Sequence, residues 1–224
     1  MKLITLFVQY LPTFEKALLM TVEVTLLSLA FATVLGVIFC LFKLSKFKIL
    51  QFLANFYISI IRGTPLMVQI LFIFFGVPMA IRGLFLIDFR WNIMIVSIVI
   101  MSLNAGAYMT ELIRGGIEAV DKGQMEAARS LGLTYGKAMW KIVLPQAFRT
   151  MLPSIINQFI VTLKDTSLLS MIGLRELTQN TQIIVANTME ALSMYFIVGV
   201  YYWVIVTILS SVAKMIERRT TYGK

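Results

Sequence analysis

Histidine is missing altogether from these 224 residues, and cysteine appears once. The first absence removes His-ligated metals, histidine general bases and histidine proton relays. The second removes an internal disulfide, and Cys40 lies in an apolar run where it reads as a small hydrophobe. Charge is scarce too: Asp, Glu, Lys and Arg make up 14% of the chain, where a soluble domain carries about 25%. The sequence has no nucleophile–base pair and no metal constellation. It also lacks a phosphate loop, because the spacing from Gly132 to Gly136-Lys137 is wrong and Ala138 replaces the Ser/Thr. No enzymatic chemistry is expected of this chain, and no cofactor.

What is present in quantity is apolar. Hydrophobic residues reach 59% and mean hydropathy is +0.86. A spanning helix needs about 20 mostly apolar residues. Five segments meet that length: 17–42, 50–78 (interrupted at Arg62-Gly63-Thr64-Pro65), 91–113, 150–173 and 194–216. The expected fold is an all-α integral membrane domain over 17–216 with five transmembrane helices. The start of the chain does not read as a cleavable signal, since Pro12, Glu15 and Lys16 interrupt its short apolar stretch. Tyr10, Trp91, Tyr195, Tyr201 and Tyr202 fit interfacial belts.

The net charge of +9 is spread between apolar runs rather than stacked on one face, which fits membrane topology and not nucleic acid. Most basic residues fall on one side. Lys43, Lys46 and Lys48 follow the first span, Arg114, Lys122, Arg129, Lys137, Lys141 and Arg149 lie between the third and fourth, and Lys214, Arg218, Arg219 and Lys224 close the chain. Cationic loops stay in the cytoplasm, so the N-terminus is expected outside and the C-terminus inside.

This puts residues 114–149 in the cytoplasm as the longest internal loop. Asp121-Lys122-Gly123-Gln124 reads as a turn, and residues 125–131 as a short helix with a thin face at Ala127 and Ala128. Gly132 suits the left-handed residue after a helix end. Thr134 reads as the N-cap of a second short helix ending before Pro145. The loop is either a surface hairpin packed on the bundle or a docking element for a cytoplasmic partner.

At this loop the sequence resembles a known family. Glu126-Ala127-Ala128, three residues, Gly132, nine residues, Ile142, one residue and Leu144-Pro145 match the EAA signature of ABC importer permeases. Arg62-Gly63-Thr64-Pro65-Leu66, the run 108–117 (Tyr108-Met109-Thr110-Glu111 onward) and Lys164-Asp165-Thr166-Ser167-Leu168 resemble the polar amino acid branch. The resemblance implies a type I ABC importer fold in a bacterial inner membrane. It also implies a pair of permease subunits (identical or homologous), two ATP-binding ABC subunits that hold ATP and Mg, and an extracytoplasmic solute-binding protein. In the family the EAA helix sits in a groove on the ATPase. Here Ala127 and Ala128 would permit close approach and Gly132 a sharp exit, while Glu126 would pair with a partner cation or cap backbone groups, with Gln124 in the same contact.

Arg62 is the most informative single residue. With the second helix entering near Leu50, a rise of 1.5 Å per residue puts it about 18 Å in, close to mid-bilayer. An arginine there costs roughly 2.5–3.5 kcal/mol on insertion scales. It therefore faces a cavity or partner, or else snorkels from a kinked helix. Gly63 and Pro65 break the helix beside it, as in transporters that bind small solutes at broken helices, and Thr64 lies within the break. By resemblance, Arg62 would hold an α-carboxylate. The fourth span adds Asn157, Gln158, Asp165 and Thr166. Asp165 is a natural partner for an α-ammonium, or the end of a Lys164/Asp165 pair at the outer interface. Gln158 is two turns away on about the same face. An uncharged amide is a poor counter-ion for a buried cation, so the expected substrate is a polar amino acid with an uncharged side chain, such as glutamine or cystine. Glu111 and Arg114 read as a local salt bridge, and Glu23 as an interhelical hydrogen-bonding group. The rival readings are a stand-alone secondary transporter or channel, and a membrane sensor without a transported solute.

Overall fold

The computed structural model describes residues 2–221, and among these the chain is helical with short connections. Of the basic C-terminal group, Arg218, Arg219 and Lys224 fall outside the residues whose side chains are described. The helices are α1 (Lys2–Leu44), α2 (Lys48–Gly63), α3 (Leu66–Leu71), α4 (Val77–Phe85), α5 (Ile93–Glu118), α6 (Lys122–Ser130), α7 (Tyr135–Ala138), α8 (Leu144–Asp165), α9 (Leu177–Thr188) and α10 (Ala191–Thr221). A π-helical turn, Phe72–Gly76, joins α3 to α4, and another, Met139–Val143, joins α7 to α8.

Among the described residues, four helical stretches are long and apolar enough to cross a membrane: Leu3–Leu44, Leu66–Phe85, Ile93–Glu118 and Ala191–Met215. The fourth expected span corresponds to α8, which has the length but is more polar. Length and composition alone therefore support four spans and leave the expected count of five open.

Four boundaries differ from expectation, each for a physical reason. Helix α1 starts at Lys2 rather than near Ala17 and runs through Pro12. Its early turns are anchored by packing: Leu6, Phe14 and Ala17 share a buried cluster with Leu177 and Ile184 of α9 and Met194 of α10. Pro78 does not end the second span, and Pro145 does not separate the hairpin from α8. Each proline falls in the first turn of the helix that follows a π turn. Proline lacks an N–H and crowds the carbonyl four residues back. The wider π turn removes that demand, so the helix continues. The second hairpin helix therefore merges into α8. Finally, Asp121 caps α6 through a bond from Gly123 N (2.6 Å), so helix replaces the expected turn from Lys122 onward.

Helix α5 is the hub of the bundle. Gly36 of α1 lies so close to it that a Cβ there would come within 2.6 Å of Met109 Cβ. A Cβ on Gly106 would meet the Tyr57 hydroxyl at 2.9 Å, and one on Gly116 would meet Met151 Cβ at 2.9 Å. The α1–α5 contact closes with ions: Lys43 Nζ donates to Glu111 Oε1 at 2.6 Å, and Arg114 binds Glu111 Oε2 at 2.8 Å and also reaches Glu118. The expected local pair is thus also a clasp between helices. At the other end, the fully buried Glu176 caps α9, accepting from Gln179 N (2.6 Å), Thr178 N (2.8 Å) and the Tyr202 hydroxyl (2.9 Å). Glu23 is exposed on α1 and has no hydrogen-bond partner among the described residues, contrary to expectation.

Candidate functional site

The break at Thr64-Pro65 separates α2 from α3 as the sequence predicts. Thr64 is extended (φ −122°, ψ 144°), and so is Pro65 (φ −62°, ψ 137°). Breaking a membrane helix frees carbonyls that lipid cannot satisfy. Here the Thr64 hydroxyl donates to Ile60 O at 2.8 Å. The buried Gln69 reaches back from α3, and its Nε2 donates to Ile61 O (2.8 Å), Thr64 Oγ1 (2.9 Å) and Thr64 O (3.1 Å). Gln69 Oε1 accepts from Asn104 Nδ2 of α5 at 3.0 Å. Beside the break, the exposed Arg62 guanidinium lies over the Tyr108 ring, its carbon 5.4 Å from the centroid. That is within range of a cation–π contact, about 6 Å.

The polar group on α8 is separate. Gln158 is buried and donates to Thr162 Oγ1 at 3.3 Å. Thr166 is fully buried and donates to Leu163 O at 2.7 Å. Asn157 is exposed and Asp165 half-buried. No hydrogen bond or ion pair joins Arg62 to Asp165 among the described residues. Within one chain the two ends of the expected clamp are not brought into contact.

The hairpin has the opposite character. Glu126, Ala127 and Gln124 are exposed, while Ala128 is buried against the bundle. Gln146 Nε2 donates to Gln124 Oε1 at 3.3 Å, tying α6 to the base of α8. Gly132 follows the helix with φ 84°, the left-handed conformation expected of it. Thr134 takes the N-cap backbone conformation, but its side chain makes no capping bond. Leu131 and Trp140 are 84% and 74% exposed, a large apolar presence for a cytoplasmic-type loop.

The family described as "Binding-protein-dependent transport system inner membrane component" matches residues 28–222. The chain belongs to this family. The permease is 37% identical over 209 residues to the arginine transport system permease protein ArtQ of Bacillus subtilis, covering 93% of each chain. It is 37% identical over 200 residues to the glutamine transport system permease protein GlnP of Escherichia coli, covering 89% of each. Among solved structures it matches a crystal structure of an amino acid ABC transporter with histidines, at 37% identity and TM-score 0.88, with 95% and 96% of the two chains covered. The inward-facing MetNI methionine ABC transporter shares the fold at 17% identity and TM-score 0.76, with 95% and 98% covered. The expected ABC importer fold is thereby met, and the relatives are transport permeases rather than enzymes.

Sequence reasoning missed Gln69 and Asn104. Both are amides in apolar runs, and a search for donors to the carbonyls freed at Pro65 would have led to Gln69. It also missed α9 and its cap Glu176, whose signal was a Glu placed before Leu177-Thr178-Gln179.

Proposed function

We propose that this permease is the membrane subunit of an ABC importer for polar amino acids with uncharged side chains, such as glutamine or cystine. The observation that carries the reading is Arg62, an exposed guanidinium over Tyr108 and beside a helix break, at a position expected near mid-bilayer. A cation at that depth needs a hydrated cavity or a partner. A second permease subunit facing it would enclose such a cavity. Arg62 would take the α-carboxylate through paired N–H donors, with Thr64 beside it. Asp165 would meet the α-ammonium, with Asn157 and Thr166 nearby. Gln158 would face the substrate's side chain, and its neutral amide is the reason for proposing an uncharged one.

ATP and Mg would be bound by two partner ATPase subunits. Glu126, Ala127, Ala128, Gly132 and Gln124 would engage that partner, while an extracytoplasmic binding protein delivers the substrate. The N-terminus would lie outside and the C-terminus in the cytoplasm. Reconstitution with its ATPase and binding protein tests the reading, using radiolabelled glutamine, cystine, arginine and lysine. ATP-dependent uptake of glutamine or cystine is expected. Arginine or lysine as the sole high-affinity substrate would reject the uncharged side chain, and uptake at the full rate without any ATPase would reject the ABC mechanism.

A further inference from the structure

The helix break is held by two amides that contact no substrate in the reading above. Gln69 is 8% exposed, and so is Asn104. The two N–H donors of the Gln69 amide serve three oxygens of the α2 terminus, Ile61 O, Thr64 O and Thr64 Oγ1, at 2.8–3.1 Å. Its own oxygen is taken by Asn104 Nδ2 at 3.0 Å. The amide is therefore committed on both sides and has one orientation. Asn104 and Tyr108 are four residues apart on α5, so they share a face. One fixes Gln69 and the other lies beneath Arg62. A single helix face thus braces the break at two points.

The charged end and the neutral end of this arrangement do different work. Arg62 carries the charge but sits on the last turn of α2, whose helical ladder stops at Gly63 before the extended Thr64 and Pro65. Its direction depends on where the α2 terminus is held. The buried amides hold that terminus, and each is costly to leave unpaired. We propose that Gln69 and Asn104 are paired positioning residues, which fix the α2 terminus so that Arg62 faces the solute path. This rests on the reading of Arg62 as a carboxylate-binding group.

The test uses the assembled importer in vesicles, in a Cys40→Ala background. Arg62→Cys is labelled with a charged, membrane-impermeant methanethiosulfonate reagent, whose rate reports whether position 62 faces water and needs no substrate. Gln69→Met keeps the side-chain length and removes every hydrogen bond, and it is expected to slow labelling about tenfold. Asn104→Leu should act the same way. The double variant should be no slower than the slower single, because both act through one contact. Arg90→Cys, on the exposed segment before α5 and outside every contact proposed above, should label at an unchanged rate in each background. With Arg62 intact, Gln69→Met should raise the half-saturating concentration for uptake about tenfold and leave the maximal rate within about twofold.

Unchanged labelling at position 62 would overturn the proposal. So would equal slowing at position 90, or a fall in maximal rate with half-saturation unmoved, since each describes a merely structural role. Slowed labelling in a protein whose wild type takes up none of glutamine, cystine and arginine would support the positioning pair and reject the carboxylate reading.

Discussion

The helix break around Arg62 and the hairpin around Glu126 solve opposite problems. At the break, the backbone is irregular, and buried side-chain amides satisfy what the ladder leaves open. At the hairpin, the backbone is capped by its own turns, and Glu126 and Ala127 stay exposed. The first region is built to be finished from within, apart from one outward-facing guanidinium. In the proposed assembly the second is completed by another chain. The difference predicts that damage at the hairpin severs partnership, while damage at the break changes solute handling in a complex that still assembles.

The largest effect is expected from Glu126→Lys. Placing a cation where a partner cation is expected costs several kcal/mol, so ATP-dependent uptake should fall by roughly a hundredfold or more. The ATPase should no longer co-purify, while membrane insertion is normal. Retained co-purification would erase the contrast between the regions. Arg62→Lys comes next. A lysine keeps the charge but loses the fork that binds a carboxylate in pairs, so half-saturation of uptake should rise about tenfold with the ATPase still bound. Gly36→Ala forces a methyl against Met109 and should destabilise the α1–α5 packing by about 1–3 kcal/mol, read as a lower melting temperature in detergent. Gly132→Ala puts a Cβ at φ 84° and should cost about 1–2 kcal/mol in the hairpin alone, seen as faster local hydrogen exchange over residues 122–138. Glu111→Gln should have the smallest effect. It breaks a partly buried clasp to Lys43 and Arg114 and should lower stability by about 1 kcal/mol.

The sequence was legible where local chemistry decides structure. Gly132 after an apolar-faced helix announced its left-handed backbone, and Arg62-Gly63-Thr64-Pro65 announced the break. The spaced EAA pattern announced the family. Legibility failed where tertiary context overrides a local rule. Pro12, Pro78 and Pro145 all look like helix ends, yet packing or a preceding π turn carries the helix through each. Glu23 shows the limit of reading polar residues as interhelical bonds: two positions from both Thr21 and Thr25, which are buried, it falls on the opposite, exposed face of α1, as helical periodicity dictates. The clamp between Arg62 and Asp165 could not be judged from spacing at all, because the helices that carry them do not bring the pair together in one chain.

The central claim is that residues 122–138 face the cytoplasm and are covered there by a nucleotide-hydrolysing partner. Ala127→Cys in a Cys40→Ala background, probed with an impermeant maleimide, measures this directly. The account predicts no labelling in intact cells, labelling in inverted vesicles stripped of the ATPase, and protection when the ATPase is restored. Labelling from the outside of intact cells would contradict it.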